Sequence, residues 1–594
     1  MNRTLRLVLL KEIPENADLR QQWNVLVHSV DRPQVFYTYE WSLAVQRAYH
    51  STLHPWLFLC YDEAESLCGV VALAANVDGS SVSFLCASTS DYCDFLGLKE
   101  QKPAFIAGVL AELKKQDICN VTLTNLPAES DTIALIRQAS AKNGYYCFAR
   151  PAYVCAQVSL SQLERRPDDN RPVLPGKKVQ RRLLNAIGRE TLVRIDHART
   201  WDAVEPILPQ FMQCHVARSL VTGRLSNLTR KKRRVFLEEL AKLLSKSGWL
   251  MLTRMLAGNN TVAWNYGFQF QDTLFWYQPT FDNDLEKYSP GICLLSKLIE
   301  EAAENPALNT VDLGLGAEEY KDRFANRNRE TLYVTLRTSV AQYAREILRY
   351  RAAQCIKTFP GLEAMTRAWV ALSQQVKEGV RRDGVTAVLR RLARRMRALL
   401  WSQTEVLFFE WDGTSLPDPD TARLQLLDLN QLASAALQHG DDKITLEYLL
   451  RSASQLQEGS GEGFGLVDTG GAFLHFVWVT AFDGFFLPEL NAKVDAPSPD
   501  CVMLFDCWTP ASASGHGSYG QAVGLIARLM QQRGKRPWIF SAESNAPSVR
   551  DLEKAGFQPR YSLVRRRSLG WQKISGKAPG LDEARAEEVP ARVQ

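Results

Sequence analysis

One order of elements recurs three times along this chain and constrains its fold more than any single motif. Near the N-terminus "SVSFLCA" reads as a strand, and the loop "STSDYCDFLGLKEQK", the helix "PAFIAGVLAELKKQ", the strand "NVTLTNL" and the helix "SDTIALIRQASAKNG" follow. The middle repeats that order with "TLFWYQPTF", "DNDLEKY", "SPGICLLSKLIEEAAE", "NTVDLGL" and "AEEYKDRFA". "CVMLFDCWTP", a Gly/Ser loop, "YGQAVGLIARLMQQRG", "RPWIFSAES" and "APSVRDLEKAG" repeat it near the C-terminus. A hairpin pattern precedes each copy: "HPWLFLCYDEAESLCGVVALAANVDG", "GWLMLTRMLAGNNTVAWNYGFQFQD" and "GFGLVDTGGAFLHFVWVTAFDG". Hairpins joined to strand–helix–strand passages predict mixed sheets with helices on both faces, an α/β (α+β) chain built in tandem.

At 594 residues the chain is too long for one ordinary core. Its 46% hydrophobic and 23% charged shares are those of a globular protein. A net charge of +6 argues neither for wholesale nucleic-acid binding nor for a strongly acidic partner. The start lacks a signal-peptide pattern and no run of eighteen apolar residues occurs, so a soluble, cytoplasmic protein is expected. The 12 cysteines have no CxxC pair and no histidine at metal spacing. They read as reduced core thiols, and no metal is expected.

Several stretches have the chemistry of a site. In "ASASGHGSYGQAVGLI", Gly515, His516, Gly517, Ser518 and Gly520 have the spacing of a loop that cradles a diphosphate at a helix start, where amides and the helix dipole favour an anion. The middle copy offers a similar place, with Ser289 as N-cap, Pro290 in the first turn and Gly291 after it. Asp312 ends a strand, Gly314 and Gly316 follow, and Tyr320 and Lys321 lie on the next helix. These strand ends can line a crevice. The bland alternative is that Asp312 caps that helix and Lys321 pairs with Glu318. Asp91 and Asp94 in "SDYCDFLG" are turn formers by default, and a cleft-lining role for them is implied only by the resemblance described below. His215 and Arg218, three apart on one helix face, could meet a polar acceptor. His516 and His475 read first as a surface loop residue and a core residue. Lys177, Lys178, Arg181 and Arg182 form a basic run. Residues 388–400 form a basic amphipathic pattern that suits either packing on a domain or peripheral contact with an anionic membrane.

The threefold topology resembles the GNAT acyltransferase fold. Residues about 20 to 340 look like the acetyltransferase domain of CelD-type proteins of cellulose and exopolysaccharide biosynthesis, itself similar to the Fem-type double-GNAT fold. "FYTYEWSLAVQRAY", "SDYCDFLG", "KKVQRRLLNAIGRE", "FMQCHVARS", "YSPGICLLSKLIEEA" and "VDLGLGAEEYKDRFA" carry that likeness. The resemblance implies GNAT-like halves at 1–165 and 166–340 and a further GNAT-like domain at 401–572; the residue pattern adds a helical basic linker at 341–400, and polar composition with Gly and Pro a disordered tail at 573–594. The resemblance also implies acetyl-CoA as co-substrate, held by Gly515, His516, Gly517, Ser518, Gly520, Asn545, Ser289 and Gly291, and catalysis by Asp312, Tyr320, Lys321, His215 and Asp94. Two departures weaken the C-terminal copy: Ser512 stands where the family has Gln or Arg, and Leu552 where many members have a tyrosine acid. The leading expectation is an acyl-CoA-dependent acyltransferase acting on a sugar or polysaccharide precursor, without nucleic acid. The alternatives are a Fem-like transferase using charged tRNA and a degenerate GNAT scaffold.

Overall fold

Each of the three recurring passages folds in the order read from the sequence. The computed structural model describes residues 5–76, 79–168, 172–175, 177–187, 193–316, 318–357, 401–413, 423–515, 517–568 and 571–576. Two compact units result: residues 1–218 with 230–354, and residues 219–229 with 355–594.

The first unit is built on a 13-stranded sheet. Its strands are β1 (Arg6–Leu10), β2 (His54–Tyr61), β3 (Leu67–Ala75), β4 (Ser81–Phe84), β5 (Leu96–Gly97), β6 (Asn120–Pro127), β7 (Tyr146–Ser159), β8 (Val193–Ala198), β9 (Leu250–Ala257), β10 (Asn260–Phe270), β11 (Thr273–Phe281), β12 (Thr310–Leu315) and β13 (Arg327–Arg337). They lie in the order β1-β2-β3-β4-β6-β13-β7-β12-β11-β10-β9-β8, with β5 against β3. The helices are α1 (Ala17–Ser29), α2 (Tyr39–Tyr49), α3 (Lys102–Lys115), α4 (Thr132–Lys142), α5 (Lys177–Ile187), α6 (Trp201–Val204), α7 (Leu208–Val221), α8 (Lys231–Lys246), α9 (Pro290–Glu304), α10 (Glu319–Asp322) and α11 (Val340–Lys357).

The sheet joins the first two copies by exchanging their last strands. β7 follows the first copy in sequence yet pairs with β12 of the second, and β13 follows the second copy yet pairs with β6 of the first. β7 and β13 also pair with each other, antiparallel, from Arg327↔Gln157 to Arg337↔Tyr146. The stretches 1–165 and 166–340 therefore share one sheet. Parallel pairing is confined to β4 with β6 and β11 with β12 in this sheet, where a crossover helix intervenes. On α9, Leu294, Leu295, Leu298 and Ile299 pack on Val262, Leu274, Trp276, Val311 and Leu313 of the strands beneath. Each such side chain contributes about 1.5–3 kcal/mol by leaving water.

The second unit carries an 8-stranded sheet of β14 (Trp401–Trp411), β15 (Leu424–Leu426), β16 (Glu462–Val467), β17 (Phe473–Ala481), β20 (Cys501–Trp508), β21 (Arg536–Ala542), β22 (Phe557–Ser568) and β23 (Trp571–Gly576), with a small hairpin of β18 (Phe485–Leu487) and β19 (Ala492–Val494) beside it. Its order is β15-β16-β17-β20-β21-β14-β22-β23, and β20 with β21 is the parallel pair. Helices α12 (Leu429–Gln438), α13 (Lys443–Glu458), α14 (Ser518–Gln532) and α15 (Ala546–Lys554) cover it.

Two expectations meet a different structure. The helix read in "AEEYKDRFA" is only the single turn α10, because the chain must turn back into β13 at Arg327. Residues 573–576, placed in a disordered tail, belong to β23, which pairs along β22 from Ser568↔Trp571 to Leu563↔Gly576. Of the 341–400 linker, α11 is described through Lys357, while the arginine-rich 388–400 segment lies outside the described residues. Among the described residues no helix is long and apolar enough to cross a membrane.

Candidate functional site

β11 and β12 run side by side for three residues only, Thr273↔Thr310, Leu274↔Val311 and Phe275↔Asp312. Past Asp312 the pairing of β12 with β7 slips before it resumes at Leu315↔Cys155. Gly314 lies within the slip, and its φ of +73° is left-handed, a conformation glycine adopts most readily. A Cβ at Gly314 would stand 2.7 Å from Asp91 Oδ2. Glycine here lets the Asp91 carboxyl lie against the strand.

Asp312 is 1% exposed and fully bonded. Its Oδ2 accepts from the Tyr92 hydroxyl at 2.8 Å and from Gln157 Nε2 at 2.7 Å, and its Oδ1 accepts from the Gly314 amide at 2.8 Å. It does not cap the following helix. Tyr92 and Gln157 come from the first copy and its trailing strand, so the strand exchange makes the site composite. Next to it, burial pushes the Asp91 carboxyl up to about 7, and the negative charge of Asp312 adds to that rise; Lys321, Arg233 and the Leu315 amide oppose it. A carboxyl with such a pKa takes up and releases protons readily at neutral pH.

Lys321 is 4% exposed; its Nζ donates to the Leu315 carbonyl at 2.8 Å and pairs with Glu318 at 2.6 Å. The Tyr320 hydroxyl accepts from Trp276 Nε1 at 3.1 Å, and burial pushes its pKa up to about 12. It therefore keeps its proton at neutral pH. His215 Nε2 lies 3.2 Å from Gln278 Nε2. Burial, reinforced by the charges of Arg218 and Arg233, holds His215 down to about 4, so its ring is neutral at pH 7. Arg218 lies over the Phe281 ring at 4.1 Å.

Arg233, in the basic stretch "RKKRRVF" and not among the sequence candidates, is 7% exposed. Its Nη2 donates to the Tyr277 hydroxyl at 2.8 Å and to Gln278 Oε1 at 3.3 Å, while Nε and Nη1 are buried without a hydrogen-bond partner. A half-satisfied buried guanidinium is costly, and its positive field reaches Asp91.

Asp94, one of the expected catalytic residues, is turned elsewhere. Its Oδ1 accepts from the Thr132 hydroxyl at 2.5 Å and the Phe95 amide at 2.7 Å, and its Oδ2 from the Ser130 hydroxyl at 2.7 Å. It fastens the loop to the start of α4, and the aspartate facing Asp312 is Asp91. Ser289 is the N-cap of α9 by position, but at φ +52° its side chain makes no capping bond. Gly291 faces inward: a Cβ there would meet the Phe281 ring at 3.1 Å, so its smallness serves the packing of α9 on β11.

In the second unit β20 and β21 diverge in the same way, after Leu504↔Ile539. The opening is a cavity of about 570 Å³ lined by residues that include His475, Asp506, Cys507, Tyr519, Asn545 and Asp551. Gly515 and Gly517 have φ of +86° and +68°, and a Cβ at either would meet nothing within 4 Å. Gly517 is the N-cap of α14 and Ser518 its first residue. None of these lines the cavity, which Asn545 does. Gly520 faces α15, where a Cβ would stand 3.3 Å from the Asp551 carbonyl. His516 lies outside the described residues. Leu552 is fully buried in the core with Val523, Ile526 and Ile539 and is not among the residues lining the cavity. Among the described residues no group of three or more His, Cys, Asp or Glu is arranged to hold a metal ion.

Residues 177–322 match the family model of the acetyltransferase (GNAT) domain. The match supports acyltransferase activity. It takes in His215, Arg233, Asp312, Tyr320 and Lys321, while Asp91, Tyr92 and Gln157 lie outside it. Among solved structures, FemX is similar at 9% identity over 55% of this chain and 98% of its own, with a TM-score of 0.37. A tandem GNAT protein from the clavulanic acid biosynthesis pathway aligns at 13% identity over 57% of this chain and 99% of its own, with a TM-score of 0.33. L-PGS from Bacillus licheniformis aligns at 12% identity over 52% and 95%, with a TM-score of 0.33. No curated protein matches the chain.

Proposed function

We propose that this chain transfers an acyl group, acetyl in the first instance, from acyl-CoA to an amino or hydroxyl group of a sugar or envelope-polysaccharide precursor. The observation that carries the reading is the Asp91 carboxyl, with its pKa near 7, held against Asp312 where β11 and β12 part. The thioester, when bound, supplies the electrophilic carbonyl. Asp91 accepts the proton that the acceptor nitrogen or oxygen loses as it bonds to that carbonyl carbon, and Asp312 holds Tyr92 and Gln157 in place beside it. Tyr320, protonated at neutral pH, gives its proton to the sulfur as the carbon–sulfur bond breaks. Solvent then takes the proton from Asp91 and restores that of Tyr320.

The donor's diphosphate suits the helix starts. The first amides of a helix have no acceptor within it. α9 spans 15 residues without a side-chain cap, and the open Gly515–Gly517 region precedes α14. The sugar reading is supported by the likeness of "SDYCDFLG" and "VDLGLGAEEYKDRFA" to CelD-type proteins. A cytoplasmic place, with peripheral membrane contact through residues 388–400, belongs to the same proposal.

Radiolabelled acetyl transfer from acetyl-CoA to hexosamines and nucleotide-linked hexosamines tests it. Label should reach an acceptor, and Tyr320→Phe or Asp312→Asn should lower the rate by about 10²-fold or more. Absence of both transfer and acetyl-CoA binding by calorimetry would sink the proposal and leave charged tRNA as donor, or a scaffold role, to be tried.

A further inference from the structure

At one end of the second unit's sheet, β22 lies between β14 and the edge strand β23. Register puts Trp401, Ser568 and Trp571 in one row, Gln403, Arg566 and Lys573 in the next, and Glu405, Val564 and Ser575 in the row after. Residues paired across antiparallel strands share a face, as do residues two apart along a strand, so these rows make one surface. Trp401 is 74% exposed and Trp571 65%. Of the described tryptophans only these two are exposed, and two strand spacings put them about 10 Å apart across the small Ser568.

The ribbon is held through its other face. There Val406, Leu563 and Ile574 pack with Leu487, Leu490 and Val494, and Gln572 Nε2 donates to the Leu490 carbonyl at 3.0 Å. The two indoles add nothing to that core, and paired exposed aromatic groups mark a contact surface.

The charges around them say what it contacts. Arg566 and Lys573, one row behind the indoles, are exposed and in no ion pair among the described residues. The first carboxylate on this face, Glu405, stands a further row back. Indoles at the tip and cations about 7 Å behind them match the order of a bilayer surface, where tryptophan sits at headgroup level and lysine and arginine meet anionic phosphates. In sequence the basic amphipathic pattern of residues 388–400 runs directly into Trp401 at the start of β14. Lys573 within the edge strand discourages pairing with a second copy of the sheet.

We infer that the tip formed by β14, β22 and β23 docks on an anionic lipid surface, with Trp401 and Trp571 entering the headgroup boundary and Arg566 and Lys573 meeting lipid phosphates. This gives the peripheral placement proposed above a surface within the described strands. It rests neither on acyl transfer nor on residues 388–400.

The test is co-sedimentation of the intact chain with vesicles of phosphatidylcholine alone or with phosphatidylglycerol added. Binding is expected on the anionic vesicles and to fall with salt. Trp401→Ser with Trp571→Ser should weaken it at least tenfold, and Arg566→Gln with Lys573→Gln by about tenfold or more. The melting temperature should hold in both variants, because all four side chains are exposed. Acetyl-CoA binding in solution, measured by calorimetry, should also be unchanged, so that failure of the docking and failure of the transfer reading are read separately. In a chain with Arg390, Arg391, Arg394, Arg395 and Arg397 changed to Gln, any remaining binding should still depend on the two tryptophans. Lack of binding to anionic vesicles overturns the inference. So does binding that the tryptophan pair does not alter, or a tryptophan-dependent affinity for a single-stranded oligonucleotide or a neutral oligosaccharide that exceeds the affinity for vesicles.

Discussion

Asp91 and Asp94 stand three residues apart in one loop, and the sequence offers no means of choosing between them. The choice is made by distant partners: Gly314, whose missing Cβ leaves room for Asp91, and Ser130 with Thr132, which occupy Asp94. Gly314→Ala should strain a left-handed backbone by about 1–2 kcal/mol and push the Asp91 carboxyl out of place. A lower melting temperature together with a loss of acyl transfer, set beside a control alanine at exposed Gly223, would show it. The raised Asp91 pKa also has a consequence for stability. The folded group holds its proton up to about pH 7 while the unfolded one releases it near its ordinary value of 3.8, so its contribution is complete below that value and is lost as pH rises to 7. Asp91→Asn should flatten this decline in urea midpoints measured between pH 4 and 7.

At the scale of elements, period-two strands, crossover helices and the hairpins ahead of them were legible because each is fixed by local apolar pattern. The exchange of β7 and β13 was not, since pairing partners 150 residues or more apart leave no local signal; Gln157 and Tyr92 became site residues only through it. Other ties across distance are equally silent in sequence. Glu40 on α2 is fully buried and accepts from Arg20 Nε at 2.7 Å, Asn24 Nδ2 at 2.9 Å and Ser247 Oγ at 2.9 Å, binding α1, α2 and the end of α8 together. Glu40→Ala leaves these donors unmatched and should cost about 3 kcal/mol, lowering the first unit's unfolding transition and leaving the second unit's in place. Leu552 illustrates the reverse case. Its departure from the GNAT tyrosine was visible in the sequence, but only the structure shows that the leucine is fully buried in the core. Leu552→Tyr should overpack the core by about 1–3 kcal/mol, read as a lower melting temperature, and add no transfer activity.

Over the whole molecule, three copies of one pattern make two units, and in two of the copies the parallel strand pair opens beside polar groups of different character. The first unit has the Asp91 carboxyl with its raised pKa near the buried Arg233, and a protonated Tyr320 bonded to Trp276; in the second the charged lining of the cavity is entirely acidic. The copies thus share a frame and differ in chemistry, which composition alone, with its net +6, averages away. The most direct measurement is the pH dependence of kcat/KM for acetyl transfer by the intact chain and by Asp91→Asn. A rate that rises with pH through an apparent pKa near 7, and in Asp91→Asn falls by about 10²-fold and loses that limb, is the expected result. An unchanged limb and rate in Asp91→Asn would contradict a transfer site built on Asp91 and Asp312.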